Sequence, residues 1–106
     1  MIKDGNAHVA GKVRFMPEMR FTASGKAVTE IKVWNEDEGL IKVTAWESLA
    51  EALNQEVSSG DEVSIIGKWY TRTYEDQYHE EKTVIGITAR RIMIRDKGQI
   101  VKEVGR

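Results

Sequence analysis

Two tryptophans sit among lysines with the spacing of alternating strands. In the segment Ile-Lys-Val-Thr-Ala-Trp, a period of two puts Ile41, Val43 and Ala45 on one face and Lys42, Thr44 and Trp46 on the other. The first set suits a core, which leaves Trp46 on a polar face beside Lys42. Trp34 shares a face with Lys32 in the same way, close to the polar turn at 35–39. Rings that stand in solvent on a rigid sheet stack on other flat rings, and cations beside them pair with phosphates. Lys12, Arg14, Arg20, Lys32, Lys42, Lys68 and Arg72 all fall in the strand-like segments that carry the aromatic residues. Tyr70 and Tyr78 fit such a role less specifically, since each suits an ordinary surface position equally well.

Other chemistries find little support. The chain has no cysteine, and His8 and His79 lack any ligand spacing, so neither disulfides nor a metal site is expected. No Asp/Glu/His set has catalytic spacing and no phosphate-cradling glycine loop precedes a helix, so neither an enzyme nor a cofactor is expected. Sixteen basic residues against seventeen acidic ones give a net charge of −1, which by itself points away from a polyanionic partner. The acids, however, collect in the turn 36–38, in the helical segment and at 75–81. A basic groove is therefore compatible with a neutral total.

These residues need a scaffold, and 106 residues supply one domain. Turn signals cut the chain into strand-like pieces at 7–15, 26–34 and 41–46, then 62–74 and 82–94. Between the third and fourth of these, Ser48-Leu49-Ala50-Glu51 opens like a capping box, with Ser48 as N-cap. The apolar spacing predicts a helix of about ten residues, with Gly60 as its stop. Gly67 lies inside a strand and reads as a bulge or barrel-corner bend, and Gly25 as a turn residue. Three strands, a helix and two strands form the layout of an all-β, five-stranded OB-fold barrel with one short helix between strands 3 and 4. The expected domain covers residues 1–96, and 97–106 reads as a loose polar tail. No apolar run is long enough to span a membrane and the first residues lack a signal-peptide core, so a cytoplasmic location is expected.

Three ordered blocks carry a family resemblance. Pro17, Glu18, Arg20, Phe21, Gly25, Ala27 and Val28 follow Gly11-Lys12-Val13 without a gap. Trp46-Glu47-Ser48-Leu49-Ala50-Glu51 matches a Phe-Gly-Lys-Leu-Ala-Glu pattern. The third block runs from Gly60 through Val63, Ile65, Gly67, Thr71 and Arg72 to Tyr74. Over residues 7–94 the chain resembles single-stranded DNA-binding proteins of bacteria and phages. The resemblance implies stacking at Trp46 and at Tyr74, near the tip of the last hairpin, and a core position for Trp69. It implies a binder of single-stranded DNA, or RNA, with little sequence preference, acting in replication, recombination or repair. It further implies a homo-oligomer, dimer or tetramer, with Ile41 near its interface. The turn at 35–39 is too short for a long DNA-wrapping loop. The sequence ends at Arg106 without the acidic tip by which such proteins recruit partners, so recruitment of that kind is not expected. The alternative reading is an OB-fold adaptor for another protein, favoured by the near-neutral charge and the acidic stretch 75–81.

Overall fold

The computed structural model describes residues 5–15 and 18–105. Pro17, part of the first family-like block, lies outside them. Seven strands and one helix follow in order: β1 (Asn6–Val13), β2 (Glu18–Phe21), β3 (Ala27–Asn35), β4 (Gly39–Trp46), α1 (Glu47–Glu56), β5 (Glu62–Glu75), β6 (Glu81–Asp96) and β7 (Gln99–Glu103). Five of the strands close a ring in the order β1-β3-β4-β6-β5 and back to β1, in which only β4 and β6 run parallel. With the helix between β4 and β5, this is the OB-fold barrel that the strand pattern predicts. The two additional strands are short: β2 pairs with β3, and β7 pairs with β6.

Alternation builds the barrel core. Ile31 and Val33 of β3, Ile41, Val43 and Ala45 of β4, Val63 and Ile65 of β5, and Ile87 of β6 all point inward and are buried. Ile41 therefore belongs to the core, where it has no surface to offer a neighbouring subunit. The barrel closes where β1 meets β3, with Lys12 opposite Trp34 and Val13 opposite Val33. Gly11 makes this approach possible, because a Cβ there would overlap the Trp34 carbonyl. The register of β5 against β6 slips between Ile66 and Gly67, so Gly67 marks a bulge, as its place inside a strand implies.

The β3–β4 hairpin is held by Asn35, whose Oδ1 accepts from the backbone N–H of Asp37 and of Glu38, while Gly39 takes φ 81°. Helix α1 plugs one end of the barrel with Ala50 and Leu53, and Thr29 donates to the Ala50 carbonyl at 3.1 Å. Its start differs from the capping-box reading. The N-cap is Trp46 and not Ser48, no side chain caps it, and Glu47 is held at φ 56°. The helix also stops at Glu56, ahead of Gly60, which sits in the following turn and donates to the Val13 carbonyl at 2.8 Å.

Residues 97–105 of the segment read as loose are ordered. Lys97 and Gly98 both have positive φ, the geometry of a tight hairpin turn, and β7 folds back on β6. Val104 is buried, and its N–H donates to the Ile92 carbonyl at 2.8 Å. Glu56 at the end of α1 receives both Lys102, at 2.8 Å, and the Gly105 N–H, at 3.1 Å. A polar composition hid one apolar anchor and its ion pairs.

Candidate nucleic-acid interface

The outer face of β3 and β4 is set by the register Val28↔Trp46, Glu30↔Thr44, Lys32↔Lys42 and Trp34↔Leu40. Because the opposite face of each strand is buried, these side chains must point outward. Trp34 is 43% exposed and Trp46 41%, at opposite ends of this face. Six residues along a strand separate their rows, or about 20 Å. Lys32 and Lys42 stand between them, directly opposed. Like charges placed so are ordinarily unfavourable.

The face continues across the barrel. From β4 it crosses β6 at Gly86 and Thr88 and reaches β5, where Lys68, Tyr70, Arg72 and Tyr74 lie on one side by alternation. A groove of about 420 Å³ runs over this strip and gathers Arg20, Glu30, Lys42, Trp46, Tyr70 and Arg72. Tyr70 is half-buried, and its ring fits because Gly86 has no side chain: a Cβ there would stand 2.5 Å from the Tyr70 hydroxyl. The Arg72 guanidinium lies 5.7 Å above that ring, so Tyr70 is a platform for a cation more than a free stacking surface. Tyr74 is 49% exposed farther along the same arm. Trp69 is half-buried against the core.

At the Trp34 end, Arg14 lies 5.9 Å over the indole and Lys32 lies 5.9 Å over the Phe15 ring. Lys12 is exposed on β1 beyond Trp34. It lines a separate hollow with Trp34, Glu36, Asp37, Glu62 and Arg95, so it faces acids as well as the indole. The hairpin tip after Tyr74 is less repulsive than its composition suggests. Asp76 Oδ1 accepts from the N–H groups of Tyr78 and Glu80, Lys82 pairs with Glu80 at 3.3 Å, and His79 meets Glu75 at 2.7 Å. Several of these acids are thus committed to shaping the turn. Tyr78 is exposed at that tip.

Two residues beyond those expected belong to the same surface, Phe15 and Glu30. Phe15 is an exposed aromatic at its Trp34 end. Phe21 is also exposed, but it pairs with Ala27 and alternates with Arg20, so it lies on the other face of β2. Glu30 stands in its middle: one oxygen takes the Arg20 guanidinium, and Oε2 lies 2.7 Å from Lys42 Nζ. Burial pushes the Glu30 carboxyl upward, but hydrogen bonds and charge from Lys42 and Arg20 outweigh this and hold it below its ordinary value. Alternation would have found Glu30, since it shares parity with Lys32 and Trp34. The partners it takes depend on strand register, which the sequence does not display. The register of β2 on β3, with Arg20 opposite Val28, brings the guanidinium within reach of Glu30.

A ring of five strands with one helix between β4 and β5 defines an OB-fold, and rings and cations stand on the outer face of its β3 and β4. The family described as the single-strand binding protein family matches residues 5–94, and the chain belongs to it. It is similar to a single-stranded DNA-binding protein of Corynebacterium glutamicum, 30% identical over 102 residues, which covers 83% of this chain and 45% of that protein. A protein of the same description from Paenarthrobacter aurescens is 30% identical over 91 residues, covering 73% and 53%. "Single-stranded DNA-binding protein 2" of Chlorobaculum tepidum is 34% identical over 64 residues, covering 60% and 43%. The chain spans about half the length of these relatives. Membership is in a family of DNA-binding proteins, not of enzymes. Among the described residues, no helix is long and apolar enough to cross a membrane.

Proposed function

We propose that the chain binds single-stranded DNA with little sequence preference, in the service of replication, recombination or repair. The observation that carries this reading is the β3–β4 face, where two half-exposed tryptophans flank a directly opposed lysine pair. The like charges of the opposed Lys32–Lys42 pair are only partly offset in the free protein, by Glu30 beside Lys42, and they become favourable beside a polyanion. Bases stack on Trp46, Trp34 and Tyr74, and Phe15 extends the stacking surface past Trp34. Phosphates meet Lys32, Lys42, Lys68, Arg72, Arg14, Lys12 and Arg20. None of these contacts reads a base edge, so neighbouring sequences are accommodated alike. Titration with oligo-dT tests the reading. Tryptophan fluorescence is quenched on binding, and affinity falls as salt rises. A folded protein whose emission does not respond to oligo-dT at low salt refutes it, and poly-rU in the same assay reports on RNA.

Self-association belongs to the same proposal. Strands β2 and β7 each have a single partner strand, which leaves edges open to a second copy. Exposed Ile100 and Val101 on β7 favour a second reading, an adaptor that docks another protein. It predicts tight protein association together with negligible quenching by oligo-dT.

A further inference from the structure

Glu30 is the one acid on the described β3–β4 outer face, and it stands in the middle of the proposed phosphate path. Each of its carboxylate oxygens is engaged by a different cation, Arg20 from β2 and Lys42 from β4. The carboxylate lines the same groove as Trp46 and Arg72, so a strand stacked on Trp46 passes over it. Two cations converging on two oxygens of one anion are the arrangement that a bound phosphate would take there.

We propose that Glu30 is a built-in phosphate mimic, which occupies Arg20 and Lys42 in the free protein and which an incoming strand must displace. The residue then sets how tightly and how salt-dependently this surface binds. In the free state it neutralises part of the charge that the opposed Lys32 and Lys42 would otherwise leave unbalanced. On binding it subtracts affinity, because its own charge remains beside the phosphates. The groove therefore discriminates between ligands. A strand that also stacks on the tryptophans gains enough to displace the carboxylate, whereas a small free anion does not.

The inference rests on the strand-binding reading, and its test separates the two. Glu30→Gln keeps the shape and hydrogen-bonding reach of the side chain and removes its charge. Binding of labelled oligo-dT to the full chain is followed by anisotropy across a salt series, alongside the melting temperature of each variant. Each net positive charge made available to phosphate steepens the dependence of log K on log salt by about 0.7 for single strands, and the loss of the one Glu30 charge makes one available. Glu30→Gln should bind more tightly at low salt and lose about 2.6-fold more affinity than the native chain between about 50 and 200 mM. An unchanged slope overturns the inference, as does weaker binding at an unchanged melting temperature. Should Glu30→Gln fail to fold, Lys42→Gln and Lys32→Gln on the native Glu30 decide the matter. The mimic requires a smaller slope loss from Lys42→Gln than from Lys32→Gln, and equal losses overturn it. No binding by the native chain refutes the strand-binding reading itself. Binding by the native chain with an unaltered Glu30→Gln slope refutes the phosphate mimic alone.

Discussion

Replacing Trp46 with alanine is the most direct probe of the proposed surface. The indole is 41% exposed, stands at the last residue of β4 and shares the groove with Arg72 and Lys42. Stacking one base on a ring is worth about 1–3 kcal/mol. At 1.4 kcal/mol per decade this is a rise in Kd of about fivefold to 150-fold for oligo-dT. Because the ring covers groove surface and not the barrel core, folding should be little affected, and melting curves provide the control. Trp46→Phe keeps a stacking ring and should recover most of the loss, which separates stacking from mere volume. Trp34→Ala gives an independent comparison: its ring lies about 20 Å away along the strands, so the two losses should add. The slope against salt should remain that of the native chain in both variants, because no cation is removed. A folded Trp46→Ala protein with a Kd within twofold of native would refute stacking at this position.

The helix entry and the last strand give two further tests. Glu47 is held at φ 56°, a region that disfavours side chains by about 1–2 kcal/mol, whereas glycine loses about 0.5–1 kcal/mol to its unfolded freedom. Glu47→Gly should therefore be more stable than Glu47→Ala by about 0.5–1 kcal/mol in urea unfolding, reversing the usual helix preference for alanine; alanine proving the better residue contradicts the strain. Val104→Ala should lower stability by about 1–3 kcal/mol and speed amide exchange along β7, because Val104 anchors the strand in the core. Stability as low as that with β7 deleted altogether, or unchanged from native, would show that the anchor is wrongly assigned. Acid should also separate the native chain from Glu30→Gln. The carboxyl of Glu30 is held below its ordinary 4.5, so its contribution is complete above that value and disappears as pH falls through the lowered one. The difference in melting temperature between the two should accordingly shrink on acidification, and a constant difference would refute the ion pairs as its source.

Much of the fold is legible because strand parity is strict. Once Ile41, Val43 and Ala45 are assigned inward, Lys42 and Trp46 have to face outward, and the structure places them so. Gly67 announced its bulge for the same reason, since glycine inside a strand otherwise weakens it. Strand β7 was not legible, because one buried valine and a Lys97-Gly98 turn carry it within a polar segment. The N-cap failed because Ser48 offers the right chemistry two residues too late: β4 continues to Trp46, and Glu47 makes the sharp change of direction itself. Glu30 was visible as a residue and invisible as a clamp. Its partners come from β2 and β4, brought together by pairing across ten residues or more of sequence.

The charge of −1 and the basic surface are reconciled by where each acid is used. Asp76 winds the hairpin tip, Glu56 ties α1 to β7, and Glu103 holds Arg91. These carboxylates are engaged in keeping the chain folded, and they stand outside the groove over β3 and β4. Among the described residues, Glu30 is the acid that enters it, and it does so bound to two cations. Within a Debye length of roughly 8–10 Å, a strand lying along β3 and β4 responds to Lys32, Lys42, Arg20 and Arg72 more than to the molecule's total. On the proposed reading, the groove and not the total charge of this sequence decides whether a strand stays. The dissociation rate, more than the association rate, should then carry the effects of substitutions at Trp46, Trp34 and Glu30.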